Sequence, residues 1–145
     1  MDYQSLRDEL AIALDGSLGT YIFDNGQALA VPAVRLEIGE QGKLPEGTRC
    51  DGLEVVVIAV PNFTLRAIVG GYQKTTRAMI VLKMWDRARS LIGDGTAPSP
   101  LNTVLDALKY MDLDIKPDIS GVPQFEQLGN IETATIEVST MVSHA

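Results

Sequence analysis

The chain has 145 residues and a formal net charge of −7, with 46% hydrophobic and 21% charged residues. This balance is typical of a globular protein and excludes a disordered chain, and we treat residues 1–145 as a single domain. The acidic charge disfavours a nucleic-acid-binding protein, because affinity for nucleic acid depends on basic side chains that neutralise phosphates. No apolar run approaches the ~20 residues of a membrane-spanning helix, so we expect no membrane partner.

The first segment predicts an amphipathic helix over about residues 2–14. Asp2 is a suitable N-cap, and Gly16 is expected to stop the helix. This acidic and amphipathic start is not typical of a signal peptide. The helix carries one apolar stripe, which we expect to lie on a sheet; its residues recur at helical spacing and are Tyr3, Leu6, Leu10 and Leu14.

Two strands are predicted next, followed by a loop. Residues 20–23 form a short strand that the turn sequence at 24–26 ends, because Asn-Gly favours a tight turn. Residues 28–38 form a second strand, in which Pro32 removes a ladder donor and so indicates an edge or a bulge. The segment 39–52 is rich in turn formers and charge. We expect it to be an exposed loop, mobile in the free protein and ordered in an assembly.

The stretch 53–86 is the centre of the predicted fold. Its three apolar runs are separated by Pro61-Asn62 and by Gly70-Gly71, which are turn signals, so we expect an antiparallel meander. The run 53–60 is apolar at nearly every position, which predicts cover on both faces or by another subunit. The run 74–85 could span roughly 40 Å at about 3.3 Å per residue, more than the domain needs. Both features suggest assembly.

The remaining segments predict a second helix and a final hairpin. The helix covers residues 100–111, after the N-cap Ser99 and with proline in its first turn. Residues 124–128 and 131–142 form a hairpin, and the last strand alternates between an apolar and a polar face. The predicted fold class is therefore α+β, with a mostly antiparallel sheet (meander plus C-terminal hairpin) covered by two amphipathic helices.

No set of residues in the sequence is typical of a catalytic centre. The only histidine, His144, is one residue from the end of the sequence, and without a second one Ser-His-Asp and Cys-His catalysis have nothing to activate the nucleophile. Cys50 is the only cysteine, which excludes an intramolecular disulfide. Its neighbour Arg49 could lower the pKa of the thiol slightly. We therefore expect no enzymatic activity and no cofactor.

Acidic residues keep a small metal-dependent hydrolase as an alternative from another class. Asp112 and Asp114 have alternate spacing, and Asp94 lies in a Gly-Asp-Gly sequence. Neither the Asp112/Asp114 pair nor Asp94 is followed by the remaining ligands of a twelve-residue calcium-binding loop. Asp118 followed by Glu126 is similar to the acidic pair of metal-dependent nucleases, but the Glu-x-Lys that should follow is missing. We therefore expect no bound metal.

Basic residues concentrate on and after the predicted meander, while carboxylates lie towards both ends of the chain. A run of charge is usually a solvated face. Here, however, opposite charges on different edges would let neighbouring copies meet in a defined orientation. The candidates for a subunit interface combine these charges with two residues of the first apolar run, and they are Arg49, Val56, Ile58, Arg77, Lys83, Arg87, Arg89, Glu132 and Glu137.

Several patterns together resemble the small neck proteins of long-tailed bacteriophages, most nearly the tail terminators. They are the opening amphipathic helix, PEGTRCDGLEVVV, the long strand TTRAMIVLKMWDR, the helix PLNTVLDALKYM and an alternating last strand. In that family the long strand ends in V-x-W-x-R and an L-x-x-V-x-x-A-L helix follows it. In residues 82–87 the matching positions are Trp85 and Arg87, with Lys83 at the valine position and Leu82 directly before it, and residues 101–108 match the helix.

The resemblance implies a structural virion protein of the neck, assembled in the host cytoplasm as a homo-oligomeric ring, with a hexamer as the expected form. Such a ring caps the completed tail tube and docks to the head-side connector, without enzymatic activity. A head-completion or tail-tube protein is the alternative within this class. A monomeric adaptor that binds a peptide at a sheet edge is a further alternative from outside it. We expect DNA to pass through the channel of the ring without specific binding. We also expect Asp94 to lie nearer this channel than Arg87 and Arg89.

Overall fold

The computed structural model of the chain describes residues 1–22, 28–93, 95, 98–111, 113 and 117–145, with the backbone alone at 28–31. The predicted turn at 24–26 and the residues Asp94, Asp112 and Asp114 lie outside the described residues. The helices of the described part are α1 (Tyr3–Ala13) and α2 (Pro100–Tyr110), and its strands are β1 (Thr20–Ile22), β2 (Ala28–Pro32), β3 (Val34–Glu37), β4 (Arg49–Cys50), β5 (Leu53–Ile68), β6 (Gly71–Met84), β7 (Asp118–Leu128) and β8 (Ile131–His144).

Both predicted helices are confirmed to within one residue at each end. The Asp2 side chain accepts a hydrogen bond from the Ser5 backbone N–H at 3.0 Å, and Ser99 accepts one from Asn102 at 3.1 Å. Each bond satisfies an N–H group of the first turn that has no partner within its helix. The two caps therefore set where the helices begin.

The larger sheet has five strands in the order β3-β5-β6-β8-β7. Its pairs are antiparallel except at one edge, where β3 runs parallel to β5. The α+β class is thus confirmed in its broad form, whereas the sheet is mixed. The physical reason is the connection: residues 38–52 lie between β3 and β5 and are long enough to return the chain to the same end of the sheet.

The predicted turn at Pro61-Asn62 is wrong, because β5 continues through these residues as a single strand. Its pairing with β6 shifts register between Val60 and Thr64, which is the signature of a bulge. β3 pairs only with Val55–Ile58, so in the described part of the chain Pro61 lies where β5 is an edge strand on that side. A missing N–H is tolerated there. The meander is therefore one long hairpin, closed at Val69-Gly70.

The predicted strand at 28–38 is also wrong, because the chain divides it into β2 and β3 in different sheets. The break is at Ala33, directly after Pro32. The Ala33 N–H donates to the Gly19 carbonyl at 2.8 Å, and the Ala33 carbonyl accepts from Val55 at 2.9 Å. Ala33 thus joins the end of one sheet to the start of the other. Pro32 is the last residue of β2, which is an edge strand in the described part of the chain and whose register with β1 shifts beside it, so the predicted edge or bulge at Pro32 is confirmed.

The main core lies between the two helices and one face of the five-stranded sheet. Alternate residues of β5, β6 and β8 share that face, as their register shows. The predicted alternation of the last strand is confirmed for Ala134, Ile136 and Val138, which are buried, and for Glu137, which is exposed, whereas Thr133 on the polar face is buried as well. Burying a large aliphatic side chain contributes about 1.5–3 kcal/mol. Residues that lose all solvent contact here include Leu6, Leu10, Val55, Ile80, Leu82 and Val104.

The opposite face of the sheet is partly covered by the second, three-stranded sheet, which has the order β2-β1-β4. A small core of Tyr21, Ala33 and Cys50 forms there, and Leu44 and Trp85 pack against it. Val56 lies on this second face and is only 1% exposed. The apolar run 53–60 is therefore covered largely on both faces by its own chain, which is the first of the two expected alternatives.

The C-terminal hairpin is confirmed and is longer than predicted. β7 begins at Asp118, and its register with β8 shifts between Ser120 and Gln124. Gly121, with a positive φ of 74°, lies in this irregular stretch, where a residue with a side chain would be strained. The bulge therefore interrupts the alternation from which the start of β7 could have been recognised. β7 forms one edge of the sheet.

Candidate assembly surface and polar cavity

The β5–β6 hairpin continues beyond the core as an arm, which we define as residues 61–76. The last buried positions of the hairpin are Ala59 and Ala78, and β8 runs beside the arm up to His144, whose ring stacks on Tyr72 at 5.0 Å. A projecting element that exposes large apolar side chains is typical of an interaction surface. The exposed apolar side chains of the arm are Phe63, Leu65, Val69 and Tyr72.

The base of the arm is held by the start of α1. The Tyr3 hydroxyl lies 3.2 Å from the Val60 carbonyl oxygen and 3.0 Å from that of Arg77, on the two strands of the hairpin. The Met1 amino group donates to the Thr76 hydroxyl at 3.1 Å. These contacts join the hairpin to the helix at the point where the core ends, so the arm projects from a fixed base.

The arm is positively charged. Residues 61–76 contain Arg66 and Lys74 and no aspartate or glutamate. The Lys74 ammonium lies 4.5 Å from the centroid of the Phe63 ring, a cation–π contact that holds both side chains on one face of the hairpin. One face of the arm therefore offers apolar area and the Lys74 charge together, whereas Arg66, which pairs with Gln73, lies on the other face.

A mainly apolar cavity of about 470 Å³ lies between α2 and β7, and we call it the α2–β7 groove. Its apolar walls include Leu105, Leu108 and Ile119, and its charged lining residues are Asp106, Asp118 and Lys109, with a formal charge of −1. Further exposed apolar residues follow along the edge strand β7: Val122, Phe125 and Leu128. This groove is thus an apolar surface with acidic residues on the side of the molecule formed by α2 and the sheet edge.

A second cavity, of about 320 Å³, is polar and lies where the two sheets meet. The Glu54 side chain in its wall is nearly inaccessible to solvent. One carboxylate oxygen accepts from the Trp85 indole N–H at 3.2 Å, and the other accepts from Arg35 at 3.4 Å. Arg35 also bonds to the Glu37 carboxylate. The buried carboxylate is thus paired and hydrogen-bonded, as burial of a charge requires.

Two further groups of the small core have raised pKa values. Burial, and then the nearby Glu54 carboxylate, raises the pKa of Tyr21, so its hydroxyl stays protonated at neutral pH. Burial raises the pKa of the Cys50 thiol to about 11. The expected lowering of that pKa by Arg49 is therefore wrong, because loss of water around the thiolate outweighs the effect of this neighbouring charge at an exposed position.

The structure brings together some of the predicted interface residues and separates others. Arg77 and Glu137 are 3.9 Å apart on neighbouring strands of the same chain. Arg49 and Lys83 both line the polar cavity. Glu132 accepts from the Leu91 backbone N–H at 2.7 Å. Of the remaining candidates, Val56 is buried, Ile58 is half-buried, and Arg87 and Arg89 are exposed after β6.

Sequence reasoning missed the residues that build the polar cavity. Tyr21, Arg35 and Glu54 come from three different strands, and Trp85 follows a fourth. One signal was present, since Glu54 is a lone carboxylate inside the run LEVVVIAV. A charge in such a run must find a buried partner, but spacing does not identify the partner.

Among the residues that the structure describes, no group of three His, Cys, Asp or Glu side chains could hold a metal ion. None of the helices in the described ranges has the length and apolarity that crossing a membrane requires. No protein-family model matches the sequence, and no curated protein matches it.

Proposed function

We propose that this chain is a structural component of the neck of a long-tailed bacteriophage, where it forms a ring that ends the tail tube and joins it to the head-side connector. The sequence patterns at residues 82–87 and 101–108 support the family. The arm is the observation that carries the proposal, because a single chain leaves its apolar side chains exposed. A hexamer is the proposed form, and the virion is its proposed location.

In the proposed ring, the arm of one copy lies on the α2–β7 groove of the next. The two surfaces are complementary in two respects. Both are apolar, and the arm carries the positive charges of Arg66 and Lys74, whereas the lining of the groove, with Asp106, Asp118 and Lys109, has a formal charge of −1. Different surfaces of the same chain meet in such a contact, and head-to-tail contacts of this kind generate closed rings when the rotation between copies fits.

The charge of the chain supports the passage of DNA through such a ring without specific binding. Each copy carries a formal −7. Repeated around a ring, this charge repels phosphates, whereas a bore lined by arginine would hold DNA through many salt-dependent contacts. We expect Arg87 and Arg89 to pair with carboxylates of a neighbouring copy. Arginine side chains that point into the bore of an imaged ring would contradict this assignment.

Light scattering of the purified chain, followed by electron microscopy, tests the proposal. Six copies of 15.7 kDa give an expected mass of about 94 kDa, and microscopy should show rings. Addition of purified tail tubes should promote assembly at concentrations where the free chain remains a monomer. A monomer under all these conditions would favour the adaptor. Hydrolysis of phosphodiester or peptide substrates that depends on a divalent metal would favour the hydrolase.

A further inference from the structure

The polar cavity between the two sheets contains charged side chains that have no role in the proposed assembly through the arm. Four basic side chains line it, Arg35, Lys43, Arg49 and Lys83, against the two carboxylates of Glu37 and Glu54, so its lining has a formal charge of +2. The whole chain is −7. The lining of this cavity is therefore opposite in sign to the chain as a whole.

Not all of the basic side chains in this cavity form ion pairs within the chain. Arg35 is engaged with the Glu37 and Glu54 carboxylates. For Arg49 and Lys83, by contrast, no carboxylate oxygen lies within 4.0 Å in the part of the chain that the structure describes. The cavity therefore holds two cations that are available to an incoming anion.

The wall of the cavity also contains a polar group without a partner. The Tyr21 side chain is buried, and its hydroxyl oxygen makes no hydrogen bond of acceptable geometry among the described residues, although the Glu54 carboxylate is close enough to raise the pKa of this hydroxyl. A buried hydroxyl left unpaired is costly and is rare in native proteins. Tyr21 and Trp85 line the same cavity as Arg49 and Lys83. One oxygen-bearing ligand could therefore reach both the hydroxyl and the cations.

We propose that this cavity binds a small oxyanion, a carboxylate or phosphate group, which Lys83 and Arg49 attract and to which the Tyr21 hydroxyl donates a hydrogen bond. The volume of about 320 Å³ is at the lower end of the roughly 300–1,000 Å³ of ligand cavities, which suits one small anion or the end of one acidic side chain. The inference stands on this cavity alone and does not depend on the proposed ring.

Trp85 is the only tryptophan of the chain, and it lines the cavity. Its fluorescence is therefore a site-specific readout for titrations with inorganic phosphate and with succinate at constant ionic strength, set with sodium chloride. We expect a saturable change that Lys83→Gln weakens about tenfold or more, since it removes a charged partner of the anion. Lys74→Gln is the matched control, because Lys74 lies on the same strand, in the arm, and should leave the titration unchanged.

Tyr21→Phe separates a ligand contact from a structural role. Removing an unpaired hydroxyl should leave thermal stability equal or higher, while affinity for the anion falls severalfold or more. If the oxyanion belongs to a neighbouring protein chain, free anions will bind only weakly, and Tyr21→Phe and Lys83→Gln will instead weaken self-association measured by light scattering. The proposal is overturned if wild type and both variants respond alike to the anions and also self-associate alike.

Discussion

The Glu132 carboxylate accepts a 2.7 Å hydrogen bond from the backbone N–H of Leu91, a residue 41 positions earlier in the chain. The Ser90 hydroxyl also lies 3.4 Å from both carboxylate oxygens. The Leu91 side chain is fully buried in the main core. Glu132, at the start of β8, therefore fixes the loop that follows β6 to the sheet, and its predicted contact with a neighbouring subunit remains a prediction.

Glu132→Ala should destabilise the chain, because it leaves the Leu91 N–H without its charged acceptor. A hydrogen bond to a charged group contributes about 1.5–3 kcal/mol, and we expect the lower end because Glu132 is partly exposed to water. Chemical denaturation measures the change. Glu126→Ala removes an exposed carboxylate from the neighbouring strand β7 and is the matched control, with an expected effect within about 0.5 kcal/mol. Equal effects of the two variants would contradict the assigned role.

Ser99→Ala should destabilise the chain by about 0.5–2 kcal/mol, the usual effect of losing an N-cap. Ser99 is buried, and its side chain accepts from the Asn102 backbone N–H, so alanine leaves that donor without a partner and without water. Thermal denaturation followed by circular dichroism checks the value. Ser99→Asp retains an acceptor but buries a charge, so it should not restore full stability. Ser143→Ala, at an exposed position, should have almost no effect.

Cys50 should react slowly with thiol reagents at neutral pH in the native chain and rapidly after unfolding. Its pKa is raised from 9.0 to about 11, chiefly by burial, so almost no thiolate is present at pH 7. The raised value also links stability to pH. The contribution of the thiol is fully present below pH 9 and is lost as the pH rises towards 11, because the unfolded chain releases the proton first.

Comparison with Cys50→Ala isolates this pH effect from other groups that titrate in alkali. The difference in unfolding free energy between the native chain and the variant should be constant below pH 9 and should shrink between pH 9 and 11. Urea denaturation at a series of pH values measures it. A constant difference over the whole range, or rapid labelling of the folded chain at pH 7, would contradict the burial of the thiol.

The elements that depend on local chemistry could be predicted from the sequence. Asp2 and Ser99 cap their helices through atoms three residues away, and apolar spacing marks the buried faces of both helices and of β8. The failures occurred where the effect of a proline depends on distant strands. Pro61 was interpreted as a turn, and the strand 28–38 was continued past Pro32, although the predicted edge or bulge at Pro32 is confirmed. Whether proline ends a strand depends on which side of the strand has a neighbour. That neighbour, β3, is distant in sequence from Pro61.

The polar cavity could not be predicted because its contacts join distant parts of the chain. The Trp85–Glu54 hydrogen bond spans 31 residues and the Arg35–Glu54 contact spans 19. Sequence patterns show that Glu54 requires partners, but the register of β3 on β5 decides that Arg35 lies next to it. The arm shows the opposite case. The excess length of the predicted strand 74–85 suggested assembly, and the structure shows where the core ends and the arm begins.

Leu65→Asp should weaken self-association at least tenfold while changing the stability of the monomer by no more than about 0.5 kcal/mol. Leu65 is exposed on the arm, so the monomer loses little, whereas the proposed contact loses apolar area and gains an unpaired charge. Ile12→Asp is the control, since Ile12 is an exposed apolar residue on α1, outside the arm and the groove. Sedimentation velocity over a range of concentrations measures both. Equal weakening by the two variants would remove the arm from the interface.

Reversing the charges on each surface provides the sharpest test of the head-to-tail contact. An arm-reversed variant carries Arg66→Glu and Lys74→Glu, and a groove-reversed variant carries Asp106→Lys and Asp118→Lys. Each alone should stay monomeric, because its arm and its groove then have charges of the same sign.

An equimolar mixture of the two variants should recover assembly. A negative arm then meets a positive groove at one contact, and a positive arm meets a negative groove at the next, so the copies alternate around the ring. Strict alternation closes only rings with an even number of copies, as a hexamer has. Native mass spectrometry would show three copies of each variant in such a ring. Mixing does not change the fold of either variant. Recovery of assembly in the mixture therefore reports the contact between the arm of one variant and the groove of the other. A mixture that stays monomeric, although both variants are folded, would exclude the pairing of arm and groove.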